Sequence, residues 1–247
     1  MSMSDPSEQG SNESIAAIVQ RVREIAGLVE SPSDAGVVSL DYVIRSYPIS
    51  TDEVDGLNYR RAAEFLAARV GQALPLPASE ETPLAGLLYA YEYAGALYGC
   101  ILVEQKDLVT RRRFSAAHEL GHYVLHFMPL LEDQQHTTAE GALLVVEGLA
   151  YTGKDESGPS LPSGEFNLVL NQGSRMRRST KGVGRMEREA NQFAAELLMP
   201  AVACGVSAER LGCQYSKRRQ ALARRLAAEF LVSQEAMMWR LTDLNLP

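Results

Sequence analysis

Apolar residues recur at helical spacing soon after a polar start. In SIAAIVQRVREIAGLV, residues 14 to 29, Ile18, Val22, Ile25 and Val29 fall on one stripe and predict an amphipathic helix, which SPSDAG then breaks. A short helical stretch is expected over 37 to 47 and a third helix over 58 to 74, followed by the loop PLPASEETP. The run LAGLLYAYEYAGALYGCILV, 84 to 103, has a single charge, Glu92, in twenty positions, which is long enough to span a bilayer. Its tyrosines, valine and isoleucine favour strands, and Ala94-Gly95 offers a turn, so the run predicts a hairpin and no membrane span. A helix over 112 to 127 follows and stops before Pro129.

Beyond it the periodicity changes. GALLVVEGLAY and GEFNLVLN read as strands separated by an exposed loop, TGKDESGPSLPSG. GRMEREANQFAAELLMP is a strong helix closed by Pro200, and two more helices, 217 to 231 and 233 to 244, end the sequence, with Ser233 as N-cap of the last. No internal repeat is visible. Helices together with a small antiparallel sheet make the expected class α+β.

Composition narrows the class. A chain of 247 residues that is 46% hydrophobic and 22% charged is long enough to bury a sizeable core without disulfides. Its three cysteines, Cys100, Cys204 and Cys213, lack CxxC spacing and read as buried free thiols of a reducing cytoplasm. Residues 1 to 13 are polar and acidic, which predicts a disordered tail and no secretory signal. The net charge of −7 argues against non-specific nucleic-acid binding by the whole surface, although residues 205 to 247 carry seven basic side chains against four acidic ones.

The chemistry concentrates in RRRFSAAHELGHYVLH, 111 to 126, which holds three of the four histidines. His118 and His122 bracket Glu119 in the pattern His-Glu-x-x-His, and on a helix they lie about 40° apart, one turn along the same face. Two imidazoles so placed reach one zinc ion, while Glu119 sits beside that face, free to act as general base on water. His126 shares the direction but lies roughly 12 Å along the axis from His118, which suits a hydrogen-bonding role next to the ligands. Burying this polar strip on an otherwise apolar helix needs a compensating partner, and a metal provides one.

A catalytic zinc needs a third protein ligand. His136 follows EDQQH-type surface sequence, and no metzincin-like third histidine is spaced for the task. The helix MEREANQFAAELLMP offers Glu187, Glu189 and Glu196. Glu187 and Asn191 border the apolar stripe of Ala190, Phe193, Ala194, Leu197 and Leu198, whereas Glu189 and Glu196 point away and read as solvated charges. Glu187 is therefore the expected third ligand, with Asn191 placed to hydrogen-bond a ligand histidine.

The stretches RRRFSAAHELGHYVLH, EREANQFAAELLMP and AAEFLVSQEAMMWRL, in this order, resemble the ImmA/IrrE family of cytoplasmic zinc metallopeptidases. The resemblance implies a thermolysin-like minimal peptidase domain with His118, His122 and Glu187 on Zn2+ (Mn2+ as an in vitro substitute) and Glu119 as base. It also implies a protein substrate, a helix-turn-helix repressor of the XRE type, whose cleavage derepresses mobile-element or stress genes. The expected organisation is a peptidase domain over 14 to 204 and a helix-turn-helix-like segment over 205 to 247. Residues 132 to 182 exceed what the family usually needs and are expected to be an insertion that contacts or occludes substrate.

A different class, a DNA- or protein-binding regulator with a structural or vestigial zinc, would use the basic C-terminal helices through Lys217, Arg218, Arg219, Arg224 and Arg225. A solvated helix face explains the same charges, and an intact Glu119 argues for chemistry. Arg111, Arg112 and Arg113 sit unfavourably at a helix start and call for partners such as Asp107, Glu104 or an acidic substrate. The sequence does not choose an oxyanion-stabilising side chain among its tyrosines.

Overall fold

The computed structural model describes residues 14–28, 37–70, 81–93, 96–129, 143–150, 167–170, 175–176, 180–215 and 219–246. The expectations for the tail 1–13, the turn Ala94-Gly95, His136, Lys217, Arg218 and the loop between the two later strands lie outside them. The fold is α+β, with helices packed on a mixed sheet.

Helix α1 (Ile15–Ile25) starts on Ser14, whose side chain accepts the Ala17 N–H at 3.3 Å. It ends four residues earlier than its apolar stripe predicts, because Gly27 turns left-handed at φ 68° and the Leu28 N–H closes onto Arg23 O at 2.8 Å. Helix α2 (Leu40–Ile44) is short, and strand β1 (Ile49–Val54), which hydrophobic patterning does not predict, follows at once. Its centre, Ser50 to Glu53, is polar, and only Ile49 and Val54 are buried, so the period-2 signal has two points to rest on. Helix α3 (Tyr59–Val70) precedes the predicted hairpin of β2 (Leu84–Tyr93) and β3 (Ala96–Glu104).

The sheet continues with β4 (Leu143–Ala150), β5 (Asn167–Leu170) and β6 (Arg175–Met176) in the order β1-β3-β2-β4-β5-β6. β1 runs parallel to β3 and every other strand pairing is antiparallel, so the sheet is mixed and not wholly antiparallel as expected, because β1 joins the hairpin edge from across α3 and β2 in sequence. The hairpin is covered on both faces. Leu87 and Tyr89 of β2, with Cys100 and Leu102 of β3, pack against Leu57, Ala62 and Leu66 around α3. Leu88, Ala90, Ile101 and Val103 turn to the opposite side, into the core shared with Leu120 and Phe193. Burial on both faces removes the polar alternation, which is why this hairpin imitates a membrane segment in sequence. Among the described residues, no helix is long and apolar enough to cross a membrane.

Helix α4 (Val109–His122) lies across the second face of the sheet and runs into a π-helical turn, Tyr123–Phe127. It begins three residues before the predicted start, so all three arginines lie within its first turns. Helix α5 (Thr180–Leu198) packs along it. Helix α6 (Ala201–Tyr215) is a second element that patterning does not predict. Pro200 ends α5 and at the same time opens α6, since a missing N–H is harmless in a first turn; Pro200 O accepts the Cys204 N–H at 2.9 Å. Helices α7 (Arg219–Phe230) and α8 (Gln234–Asp243) close the chain, with Ser233 Oγ accepting the Ala236 N–H at 3.1 Å as predicted. Leu226, Phe230, Met237 and Leu241 from this pair join the same core as α4 and α5.

The seam between α4 and α5 has no spare room. A methyl group added at Gly121 would meet Phe193 at 3.1 Å and the Ala190 backbone at 3.2 Å, both on α5. Glycine is thus required in the middle of the His-Glu-Leu-Gly-His motif by packing, in spite of its helix penalty of about 1 kcal/mol. Gly121→Ala is expected to push the helices apart and lower unfolding free energy by about 1–2 kcal/mol in urea titration, overpacking outweighing the propensity gain; an alanine variant more stable than the parent would contradict this seam.

Candidate metal centre

Four acidic or imidazole side chains from the α4–α5 seam are almost fully buried: His118 at 1%, Glu119 and His122 at 0%, and Glu187 at 2% exposure. The two Nε2 atoms of His118 and His122 lie 3.0 Å apart with rings set edge to face. Carboxylate oxygens of Glu187 lie 3.4 Å from His118 Nε2 and 3.5 Å from His122 Nε2. A tetrahedral ion with ligands at about 2.05 Å has ligand-to-ligand edges of about 3.3 Å, and these three separations bracket that value.

The outer nitrogens decide which tautomers face the centre. His118 Nδ1 lies 3.0 Å from Asn191 Oδ1, an acceptor, so Nδ1–H donates and Nε2 presents a lone pair inward. His122 Nδ1 lies 3.1 Å from His126 Nδ1, and His126 Nε2 is 3.1 Å from Glu189 Oε2. With His126 donating to Glu189 from Nε2, its Nδ1 accepts from His122, and His122 Nε2 also presents a lone pair. Burial, and after it the neighbouring His118 and His126, push the His122 pKa well below its usual value, so the ring is neutral. Two lone pairs and a carboxylate thus converge in a dry site, an arrangement that repels itself until a cation enters. The residues present fit a divalent metal.

Glu119 occupies the flank of this cluster. Strand β2 comes so close that a methyl group at Gly86 would stand 3.0 Å from Glu119 Oε1 and 3.3 Å from its Cγ. The bulge in the β2–β4 pairing between Leu84 and Gly86 is at the same point. A glycine on the strand thus makes the room that the carboxylate occupies. Burial pushes the Cys204 thiol up to about 12 and raises that of Cys100, so neither of these two described thiols is disposed to ionise.

His118, His122 and Glu187 are brought together as their helical angles predict, with Glu119 adjacent, Asn191 on His118 and His126 on the outer side of His122. Two expectations fail. Glu189 is not simply solvated; it binds His126 and accepts from Arg185 Nε at 2.7 Å. Glu196 is not either, since it pairs with Arg240 and accepts the Ala201 N–H at 3.2 Å. Angles on one helix do not reveal what a neighbouring helix places on its far side.

The arginines of α4 serve the fold. Arg111 pairs with Asp107 at 3.2 Å, Arg112 with Glu53, and Arg113 donates to Val38 O and Leu231 O at 3.0 and 3.3 Å. Glu104 instead accepts the Gly56, Leu57 and Lys106 N–H groups. In the C-terminal helices, Arg240 is turned inward onto Glu196, Asp243 and Met199 O, and Arg210 is paired with Glu229. Arg219 reaches Thr242, while Arg224 and Arg225 are exposed. The described part of α8 therefore offers no outward cation for a nucleic-acid groove.

His118, His122 and Glu187, buried on two facing helices, are compatible with a metal site. The family of peptidases described as the IrrE N-terminal-like domain matches residues 78–142 and 165–242, more than half of the chain, and the chain belongs to this family. No curated protein matches the chain. The matched residues include both helices of the seam and leave out 143–164, which contains β4.

Neutral His122 gives a pH signature to the metal-free protein. The unfolded chain protonates this residue near 6.5 while the folded chain resists, so the unfolded state binds more protons and stability falls as pH drops below about 6.5. The expected slope is at most about 1.4 kcal/mol per pH unit in urea unfolding of chelator-treated protein. It should be shallower in His122→Asn; equal slopes in the two proteins would contradict a neutral buried ring.

Proposed function

We propose that the protein is a zinc-dependent endopeptidase of the cytoplasm that cuts a helix-turn-helix transcriptional repressor of the XRE type, derepressing stress or mobile-element genes. The observation that carries this reading is the convergence of His118, His122 and Glu187 beside the buried Glu119. Family membership supports the peptidase chemistry and a protein substrate. The repressor comes from the resemblance of the two site helices to ImmA/IrrE peptidases.

In this reading His118, His122 and Glu187 hold the ion, and Mn2+ can stand in for Zn2+ in vitro. Bound there, the metal supplies Lewis acidity and makes a nearby water more acidic. Glu119 takes the proton of the attacking water and returns it to the leaving amine as the peptide bond breaks. Its low-dielectric surroundings exclude bulk water, so the proton stays local. Asn191 keeps His118 in the ligating tautomer.

A purified helix-turn-helix repressor of the XRE type is the probe, chosen from the neighbouring genes where they encode one. Incubated with it and Zn2+ or Mn2+, the unmodified protein should release two fragments, read by mass spectrometry. Glu119→Gln should retain its metal and lose cleavage by about 10²–10⁴-fold. A Gln variant that still cuts ends the general-base assignment, and an intact repressor after incubation with unmodified metal-loaded protein ends the substrate assignment.

A further inference from the structure

His122 is held differently from His118. The outer nitrogen of His118 meets one amide, Asn191, one turn beyond Glu187 on α5. The outer nitrogen of His122 meets a second imidazole, His126, which the π-helical turn at the end of α4 carries. His126 is buried, at 9% exposure, and its far nitrogen reaches Glu189 Oε2 at 3.1 Å. Glu189 Oε1 in turn accepts from the largely exposed Arg185 at 2.7 Å. An unbroken line of polar contacts thus runs from the surface to a candidate ligand, through Arg185, Glu189, His126 and His122.

Each link has one consistent direction. Arg185 can only donate, and the Glu189 carboxylate, ionised beside this cation, accepts at both oxygens. Glu189 accepts from His126 Nε2–H, which leaves His126 Nδ1 to accept from His122 Nδ1–H. The inner nitrogen of His122 is then bare and directed at Glu187 and His118. A π-turn is a rare departure from α-helical bonding and is often found beside functional groups. Here it carries the imidazole that meets the outer nitrogen of His122.

We propose that His126 and Glu189 are positioning residues that fix the tautomer and orientation of His122, so that metal affinity depends on side chains that do not touch the metal. The inference rests on the reading of His118, His122 and Glu187 as metal ligands. It assigns α5 a role toward both histidines of α4, through Asn191 for one and through Glu189 and His126 for the other.

The test is Co2+ binding, followed by the visible d–d absorption of the ion, with Zn2+ affinity from competition against a chromophoric chelator. His126→Phe keeps the volume and removes both nitrogens; Glu189→Leu removes the acceptor; Glu189→Gln keeps one. His126→Phe and Glu189→Leu should each weaken metal binding about 10–100-fold with an altered Co2+ spectrum. Glu189→Gln should stay within about threefold of the parent, and the Phe–Leu double variant should lose no more than His126→Phe alone, as expected of links in one series. Melting of the metal-free proteins separates this from a packing role, which would lower the melting temperature and leave affinity unchanged. Should His126→Phe fail to fold, Glu189→Leu, at a partly exposed position, gives the same reading. If the unmodified protein binds Co2+ and both single variants match it within twofold, the positioning role is overturned and the metal centre stands. If the unmodified protein takes up no Co2+, both are overturned.

Discussion

Everything at the centre depends on how closely α4 and α5 approach at Gly121. The missing Cβ lets Ala190 and Phe193 of α5 come to within 3.1–3.2 Å of where a methyl would be. That contact brings Glu187, Asn191 and Glu189 within reach of three histidines on the facing helix. Imidazole and carboxylate side chains are short, so a seam wider by even an ångström would open the 3.4–3.5 Å separations between Glu187 and the two histidines on which a shared ion would depend. The apolar packing of Leu120, Phe193, Ala194 and Leu197 supplies the driving force, and the polar strip is carried inside it.

The remaining elements hold that seam in place. Arg112 ties α4 to Glu53 in β1, and Arg113 ties it to Val38 before α2 and to Leu231, whose φ of 53° marks the left-handed turn between α7 and α8. Arg240 draws the end of α5 onto α8 through Glu196 and Met199 O. The sheet closes the other side, with Gly86 giving room to Glu119 and Gly99 passing 3.3 Å from the Tyr123 ring where a methyl would stand. Tyr123 donates to Leu97 O at 2.7 Å, and burial raises its pKa far above the usual value, so the phenol remains a donor.

Much of this was legible in the residues alone. The helical angle between His118 and His122 and the inward side of Glu187 required only the 3.6-residue period, and the hairpin over 84 to 103 followed from its tyrosines and β-branched residues. What periodicity missed has identifiable causes. β1 lies parallel to β3 with a polar centre, so its partner is distant in sequence and its pattern faint. Helix α6 is hidden by Pro200, which ends one helix in the same position where it starts the next. Glu189 and Glu196 read as solvated in sequence because their partners, His126 and Arg240, come from other helices. The π-turn after His122 has no sequence mark that separates it from the α-helix it extends.

The central claim is that two imidazoles and one carboxylate from the α4–α5 seam share a single ion. X-ray absorption at the zinc edge of the zinc-loaded protein tests it most directly. The account predicts one zinc per chain with nitrogen and oxygen neighbours at about 2.0–2.1 Å, outer-shell scattering from two imidazoles, and a spectrum that changes in Glu187→Ala. A sulfur shell at about 2.3 Å, or zinc whose spectrum is the same with and without Glu187, would contradict it.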